Sequence, residues 1–147
     1  MCSACCFLTR PDIGTVESFR QTLLKARSLA FGQQGGTGAY LRTVFLRLGI
    51  ADAVMPKVRH LPPEKGPAQA VADGEAEIAL TQISEILPYA EAELVGPLPS
   101  EIGFVTTYVT AVGASTPHTD DAAKLIKLIT SPTIAPLLRA KGLGPPT

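Results

Sequence analysis

A glycine-rich loop between a short apolar run and an amphipathic pattern is the feature that most constrains this chain. The run at 29–31 predicts a buried strand, and it stops at residues 32–38, GQQGGTG. Residues 39–49 then carry apolar side chains at helical spacing, which predicts a helix that opens at the loop and stops at Gly49. The first amides of a helix lack intrahelical partners and lie at the positive end of its macrodipole. Because glycines let those amides approach a ligand closely, the pattern is typical of an anion-binding loop or, equally, of a tight turn.

The composition limits the classes of partner. The chain has 147 residues, of which 46% are hydrophobic and 18% charged, enough for one domain or for one domain and part of a second. Thirteen basic and thirteen acidic residues give a net charge of zero, so nothing steers the protein toward nucleic acid or an anionic membrane. No apolar run approaches the roughly 20 residues of a membrane-spanning helix. We therefore expect a soluble globular protein that does not span a membrane.

Residues 1–10 hold all three cysteines, Cys2, Cys5 and Cys6. A zinc site needs about four ligands, and the two histidines are distant with no ligand spacing. The odd count also argues against a closed set of disulfides, and the apolar stretch of a secretory signal is missing. We expect a disordered or poorly defined leader with accidental cysteines, and we favour a redox or metal function less.

Strand and helix patterns alternate along the rest of the chain. Thr15 is the expected N-cap of a helix over 16–26, and Ser131 that of the last helix. Further helices are predicted at about 66–73 and from the capping run 119–121. Strands are predicted at 58–61, 77–81, 93–96 and, most strongly, 103–112. This alternation predicts an α/β fold, a sheet covered by helices.

The loop does not fit a nucleotide site. It lacks the lysine and following Ser/Thr of a P-loop, and its glycines miss the dinucleotide-binding spacing. What remains is a neutral group of backbone amides with the Thr37 hydroxyl, which suits a compact oxyanion or a carboxylate. Gln82 and Ser84 follow strand 77–81 at its carboxyl end, the edge where the loop also lies, so they could share one pocket. Alternatively, Ser84 only caps a short helix. Arg42 either reaches a bound anion or is simply exposed.

Catalytic patterns are absent from the sequence. His60 falls in an apolar strand pattern and is expected in the core or at a sheet edge, whereas His118 precedes a helix and is expected to be solvated. There is no paired-carboxylate, H-E-x-x-H or G-x-S-x-G pattern. We expect no enzyme activity, no cofactor and no metal.

Several motifs together resemble the substrate-binding proteins of ABC transporters, specifically the molybdate-binding-like branch of the type 2 periplasmic binding proteins. They lie at 11–19, 35–38, 74–84, 94–99, 129–132 and 141–143. The resemblance implies two α/β lobes, each a three-layer helix/sheet/helix, that close on a ligand. Residues 11–102 are then similar to the second lobe, and 103–147 supply a return crossing strand and C-terminal helices of a partial first lobe. Residues 1–10 are left unmatched.

The resemblance also implies a ligand and partners. A small oxyanion such as molybdate, or a small organic anion, would bind at eight candidate residues: Gln34, Gly35, Gly36, Thr37, Gly38, Gln82, Ser84 and Tyr108. An ABC permease would be the partner of a full-length form. The location would be the periplasm, or the cytoplasm if the chain is expressed as given, without a signal. Because most of the first lobe is missing from the sequence, we expect a truncated member that binds weakly or not at all, and that could dimerise through its exposed lobe face. The alternatives are an effector-sensing module of a transcription regulator, a small enzyme that uses the loop as an oxyanion hole, and a non-functional fragment.

Overall fold

A computed structural model describes residues 2–6, for their backbone, and residues 10–144. The chain divides into two compact units, residues 1–105 and 106–147. In the first unit the strands are β1 (Cys2–Cys6), β2 (Leu29–Phe31), β3 (Ile78–Gln82) and β4 (Glu93–Pro97). Its helices are α1 (Val16–Lys25), α2 (Gly35–Arg47), α3 (Ala51–Val54), α4 (Pro67–Ala72) and α5 (Ile83–Ile86), with 3-10 turns at Met55–Lys57 and Ser100–Ile102. The predicted α/β fold is confirmed.

The four strands form one sheet in the order β2-β3-β1-β4. Strands β2 and β3 are parallel, with Phe31 opposite Leu80, whereas β1 runs antiparallel to both β3 and β4. The prediction of a disordered leader is therefore wrong for 2–6, which lie in the middle of the sheet. A strand paired on both edges satisfies its backbone hydrogen bonds whatever its side chains, so the sequence CSACC needed no β-branched pattern. The predictions about the cysteine side chains lie outside the described residues.

The two faces of the sheet carry side chains of different size. Leu29 and Phe31 on β2 pack with α1, α2 and α3, and the Phe31 and Phe45 rings meet edge to face with centroids 5.7 Å apart. Ala30 on β2 and Ala79 on β3 face the other way and pack with α4 and α5, in a cluster made mostly of alanines. Because successive strand residues point to opposite faces, this alternation places helices on both sides of the sheet.

Helix ends in the first unit follow the predicted signals. Thr15 caps α1 in a reciprocal capping box with Ser18. Gly49 after α2 and Gly74 after α4 have φ of 64° and 75°, the left-handed conformation that ends helices. The strand predicted at 58–61 is wrong. Only Val58 forms a bridge, to Leu29, and the chain then reaches Pro62 and Pro63, which have no N–H to donate to a ladder.

The second unit contains α6 (Thr119–Ile129), a 3-10 turn at Pro132–Ile134 and α7 (Ala135–Ala140). The strand predicted at 103–112 is wrong. This run pairs with none of the four described strands, and β-propensity gains its energy from such partners. Asp120 and Asp121 lie in the first turn of α6 as predicted, but His118, not Thr119, is the N-cap residue. No helix within 10–144 is long and apolar enough to cross a membrane. The assignment of 11–102 and 103–147 to two lobes stays a prediction.

Candidate functional site

The loop predicted to bind an anion leads directly into α2. Gln34 is the N-cap residue and makes no side-chain cap hydrogen bond. By contrast, the first turn of α1 is closed by its capping box. Gln34, Gly35 and Gly36 are exposed and Thr37 is half-buried, so the first amides of α2 are accessible and no described side chain caps them. The dipole of a 13-residue helix adds positive potential at this point.

Gly38 fixes how the loop packs on the helix. It is buried, and a Cβ built on it would lie 2.0 Å from the carbonyl oxygen of Gly32 and 3.1 Å from that of Gln33. A side chain of any size is therefore excluded at residue 38. The glycine at residue 38 is needed because backbone groups pack closely there. At this position of the loop, the glycine therefore serves a tight turn.

Gln82 and Thr37 meet at one edge of the sheet. The Nε2 of Gln82 donates to the Oγ1 of Thr37 at 3.3 Å, and Gln82 is 7% exposed. Because β2 and β3 are parallel, the loop after β2 and the last residue of β3 lie at the same edge. The structure thus brings together two of the residues that the sequence predicted would share a pocket.

Ser84 lies in the helix that follows β3. The N-cap of α5 is Gln82, so the interpretation of Ser84 as a helix cap is wrong. Beside it, the Thr81 hydroxyl donates to the carboxylate of Glu85. Sequence reasoning missed this pair, although its i,i+4 spacing across the junction of β3 and α5 was the available signal. The pair adds a carboxylate near the carboxyl end of β3.

Arg42 has a different role from either predicted one. It is half-buried, its Nη1 donates to the Gln33 carbonyl at 2.9 Å, and its guanidinium carbon lies 5.9 Å from the centroid of the Phe31 ring. The side chain therefore holds the loop and is not a free surface arginine. Tyr108 belongs to the second unit and is 67% exposed. Its assignment to the ligand stays a prediction.

A separate cleft lies beside β4. It has a volume of about 590 Å³ and is lined by residues 10–14 and 95–99, none of which is a predicted ligand residue. Arg10 crosses it to donate to the Val95 carbonyl at 2.8 Å, which covers the outer edge of β4. The cleft is open and its guanidinium is engaged with the backbone, so we place the candidate site at the α2 loop.

Three ionisable groups of the described chain that have a shifted pKa, Glu17, Lys65 and Glu101, lie outside the α2 loop. The pKa of Glu17 is lowered mainly by the hydrogen bond from Gln21, and the pKa of Glu101 by its own backbone amide. The pKa of Lys65 is raised, first by Asp73. His60 and His118 are exposed, so the expected core or edge position of His60 is wrong and the solvated position of His118 is confirmed.

Comparison with known proteins defines the class. Residues 3–144 match the model of the bacterial extracellular solute-binding protein family, and the chain belongs to this family. The match includes most of β1. The resemblance to solute-binding proteins is thus confirmed at the level of this family, whereas the molybdate-binding-like branch stays a prediction.

A curated relative from a Pseudomonas species is named aconitate isomerase. It is 33% identical over 137 residues, which make up 92% of this chain and 52% of the relative. The chain therefore spans about half the length of that relative. An enzyme name on a relative this similar contradicts the expectation that the chain has no enzyme activity. That expectation rested on the absence of paired-carboxylate, H-E-x-x-H and G-x-S-x-G patterns, and isomerisation of a small acid requires none of these patterns.

Proposed function

We propose that this chain binds a small organic polycarboxylate, with aconitate as the ligand to test, at the first turn of α2. The observation that carries the proposal is the uncapped start of α2 beside the Thr37–Gln82 contact. Membership of a solute-binding family supports a small-ligand role, and the name of the relative supports an organic acid.

The chemistry of the loop suits a carboxylate. Backbone N–H groups at Gly35 and Gly36 and the hydroxyl of Thr37 are donors, and a carboxylate is an acceptor with two oxygens. No side chain needs to move aside, because Gln34 does not cap the helix. A helix N-terminus favours such an anion without a full cation in contact with it.

The name of the relative favours a second candidate function, isomerisation of aconitate by this chain. Such a reaction requires a group near the bound acid that can take up and return a proton. Glu85, held by Thr81 at the carboxyl end of β3, is the first carboxylate to test. Replacing it with glutamine would remove activity and leave aconitate binding largely unchanged if it has that role.

The setting of the protein is part of the proposal. We propose a periplasmic location and an ABC-type permease as partner, as for importers of small solutes. The chain spans about half of its relative, and we propose that further ligand contacts come from outside the α2 loop. A second copy of the chain would be one source of them, and light scattering tests whether the chain dimerises. An effector-sensing role in a transcription regulator is the alternative if binding occurs without any link to transport.

Isothermal titration tests the proposal with aconitate, citrate and molybdate as separate ligands. We expect aconitate to bind, and Thr37→Val to weaken its binding by about ten- to a hundredfold, since one hydrogen bond to a charged group contributes about 1.5–3 kcal/mol. Thr43→Val is the matched control, because Thr43 is exposed on the same helix and its hydroxyl donates to the Ala39 carbonyl of that helix. Equal affinities of the two variants, or binding of molybdate alone, would refute a polycarboxylate site at the loop.

A further inference from the structure

Two carbonyl groups of the loop, those of Gly32 and Gln33, lie against its own helix. The carbonyl of Gly32 lies against the α-carbon of Gly38, close enough that a Cβ there would sit 2.0 Å away. The carbonyl of Gln33 accepts a hydrogen bond of 2.9 Å from Arg42, two turns into α2. Both contacts are internal to the loop and α2.

The orientation of a carbonyl fixes the orientation of the next amide. In a trans peptide the C=O and N–H groups point in opposite directions, and the described chain has no cis peptide bond. When Arg42 holds the Gln33 carbonyl toward the helix, the N–H of Gln34 must point away from it. Gln34 is exposed, so the residue that carries this amide lies at the surface of the loop.

The Arg42 side chain is itself held in place. Its guanidinium lies over the ring of Phe31, the last residue of β2, at 5.9 Å from the centroid. Phe31 is 1% exposed and packs against Phe45, which lies in α2 like Arg42. A planar guanidinium on a buried ring loses little further freedom when it donates to a carbonyl, which makes the contact a rigid one.

We propose that Arg42 is a positioning residue, which presents the Gln34 amide to the ligand by fixing the Gln33–Gln34 peptide from behind. This inference rests on the proposed function for the nature of the ligand, but not for the rigidity of the loop. Arg42 acts through the backbone and does not contact the anion. The planar group that holds the Gln33 carbonyl, and not the charge of Arg42, is therefore the property that orders the loop.

The experiment measures loop order and affinity separately. In ligand-free protein labelled with ¹⁵N, we expect an order parameter for the Gln34 amide near 0.85 in the wild type and below about 0.6 in Arg42→Met. The dissociation constant for aconitate should rise by about tenfold in the same variant. Arg47→Met, which removes an exposed arginine from the last turn of α2, is the matched control and should change neither value.

Arg42→Lys separates position from charge, and it carries the test if Arg42→Met does not fold. Lysine keeps the charge but not the planar group, so we expect low order and weak binding to persist. Full affinity in Arg42→Lys with a disordered loop would show that charge alone matters, and a rigid Gln34 amide in Arg42→Met would equally overturn the inference. If wild-type protein does not bind aconitate, the proposed ligand fails, and the order parameters alone decide the role of Arg42.

Discussion

The side-chain amide of Gln82 donates to the hydroxyl of Thr37 at 3.3 Å, joining the end of β3 to the first turn of α2. These residues lie 45 positions apart in the sequence. The contact connects the two parallel strands through the segments that follow them. Its strength therefore bears on the stability of the first unit as well as on the site.

A double-mutant cycle with Thr37→Val and Gln82→Leu should measure this contact. We expect a coupling free energy of about 0.5–1.5 kcal/mol in urea unfolding, the net contribution of an ordinary hydrogen bond. The cycle is needed because Gln82 has a further interaction that the single variant would also remove. Additive effects of the two substitutions would show that the contact contributes nothing to folding.

Substitution of Gly38 should be costly where substitution of Gly36 is not. Gly38→Ala forces a methyl group onto the Gly32 carbonyl, and we expect a loss of about 1–3 kcal/mol in the free energy of unfolding. At Gly36 a Cβ meets nothing within 4 Å, so Gly36→Ala should be neutral or slightly stabilising in the helix. Chemical denaturation of both variants makes the comparison, and similar losses would mean that the loop is not packed as described.

Opposite faces of β3 should respond differently to a change of size. Ala79→Leu puts a large side chain into the alanine cluster under α4, and overpacking should cost about 1–3 kcal/mol. Leu80→Ala leaves a cavity on the other face and should cost about 2–5 kcal/mol. Leu87→Ala, at a residue 45% exposed, is the control and should stay within about 0.5 kcal/mol. A neutral Ala79→Leu would indicate room between α4 and the sheet.

Acid should weaken the contribution of Glu17 to α1. The hydrogen bond from Gln21, at 2.8 Å, and then the nearby Arg20 lower the pKa of this carboxyl. A lowered pKa in the folded state means that the stabilisation is complete above the ordinary titration range of glutamate and is lost as the pH falls. The difference in unfolding free energy between wild type and Glu17→Gln should therefore shrink from pH 7 toward pH 3. In Gln21→Ala, titration by NMR should show the Glu17 pKa closer to its usual value.

Local signals in the sequence predicted much of the first unit. The Thr15 cap, the apolar stripe of α2 and the ending glycines Gly49 and Gly74 are each set by neighbouring residues, so the pattern is sufficient. The meeting of Gln82 with Thr37 followed from the parallel strands. The Arg42–Gln33 contact could not be foreseen, because it depends on which way one peptide group turns.

Strand predictions failed where the partner decides the outcome. The run 103–112 has the strongest β-propensity in the chain, yet none of the four described strands pairs with it, whereas 2–6 has a weak pattern and two partners. A ladder is a property of two segments, and one segment cannot reveal it. The sequence could not predict the role of the candidate residues fully either, because it shows hydrogen-bond donors but not the ligand that they bind.

The place of β1 in the sheet has a consequence for the order of folding. It is the first of the four strands along the chain, but its neighbours are β3 and β4, which are made some 75 to 95 residues later. During synthesis β2 can dock on β3 before β1 has both of its partners, and β4 joins the others only through β1. Of these four strands, the first to be made is thus paired on both sides only after the last. Pairing across so many residues raises the contact order, which slows the final closure of the sheet.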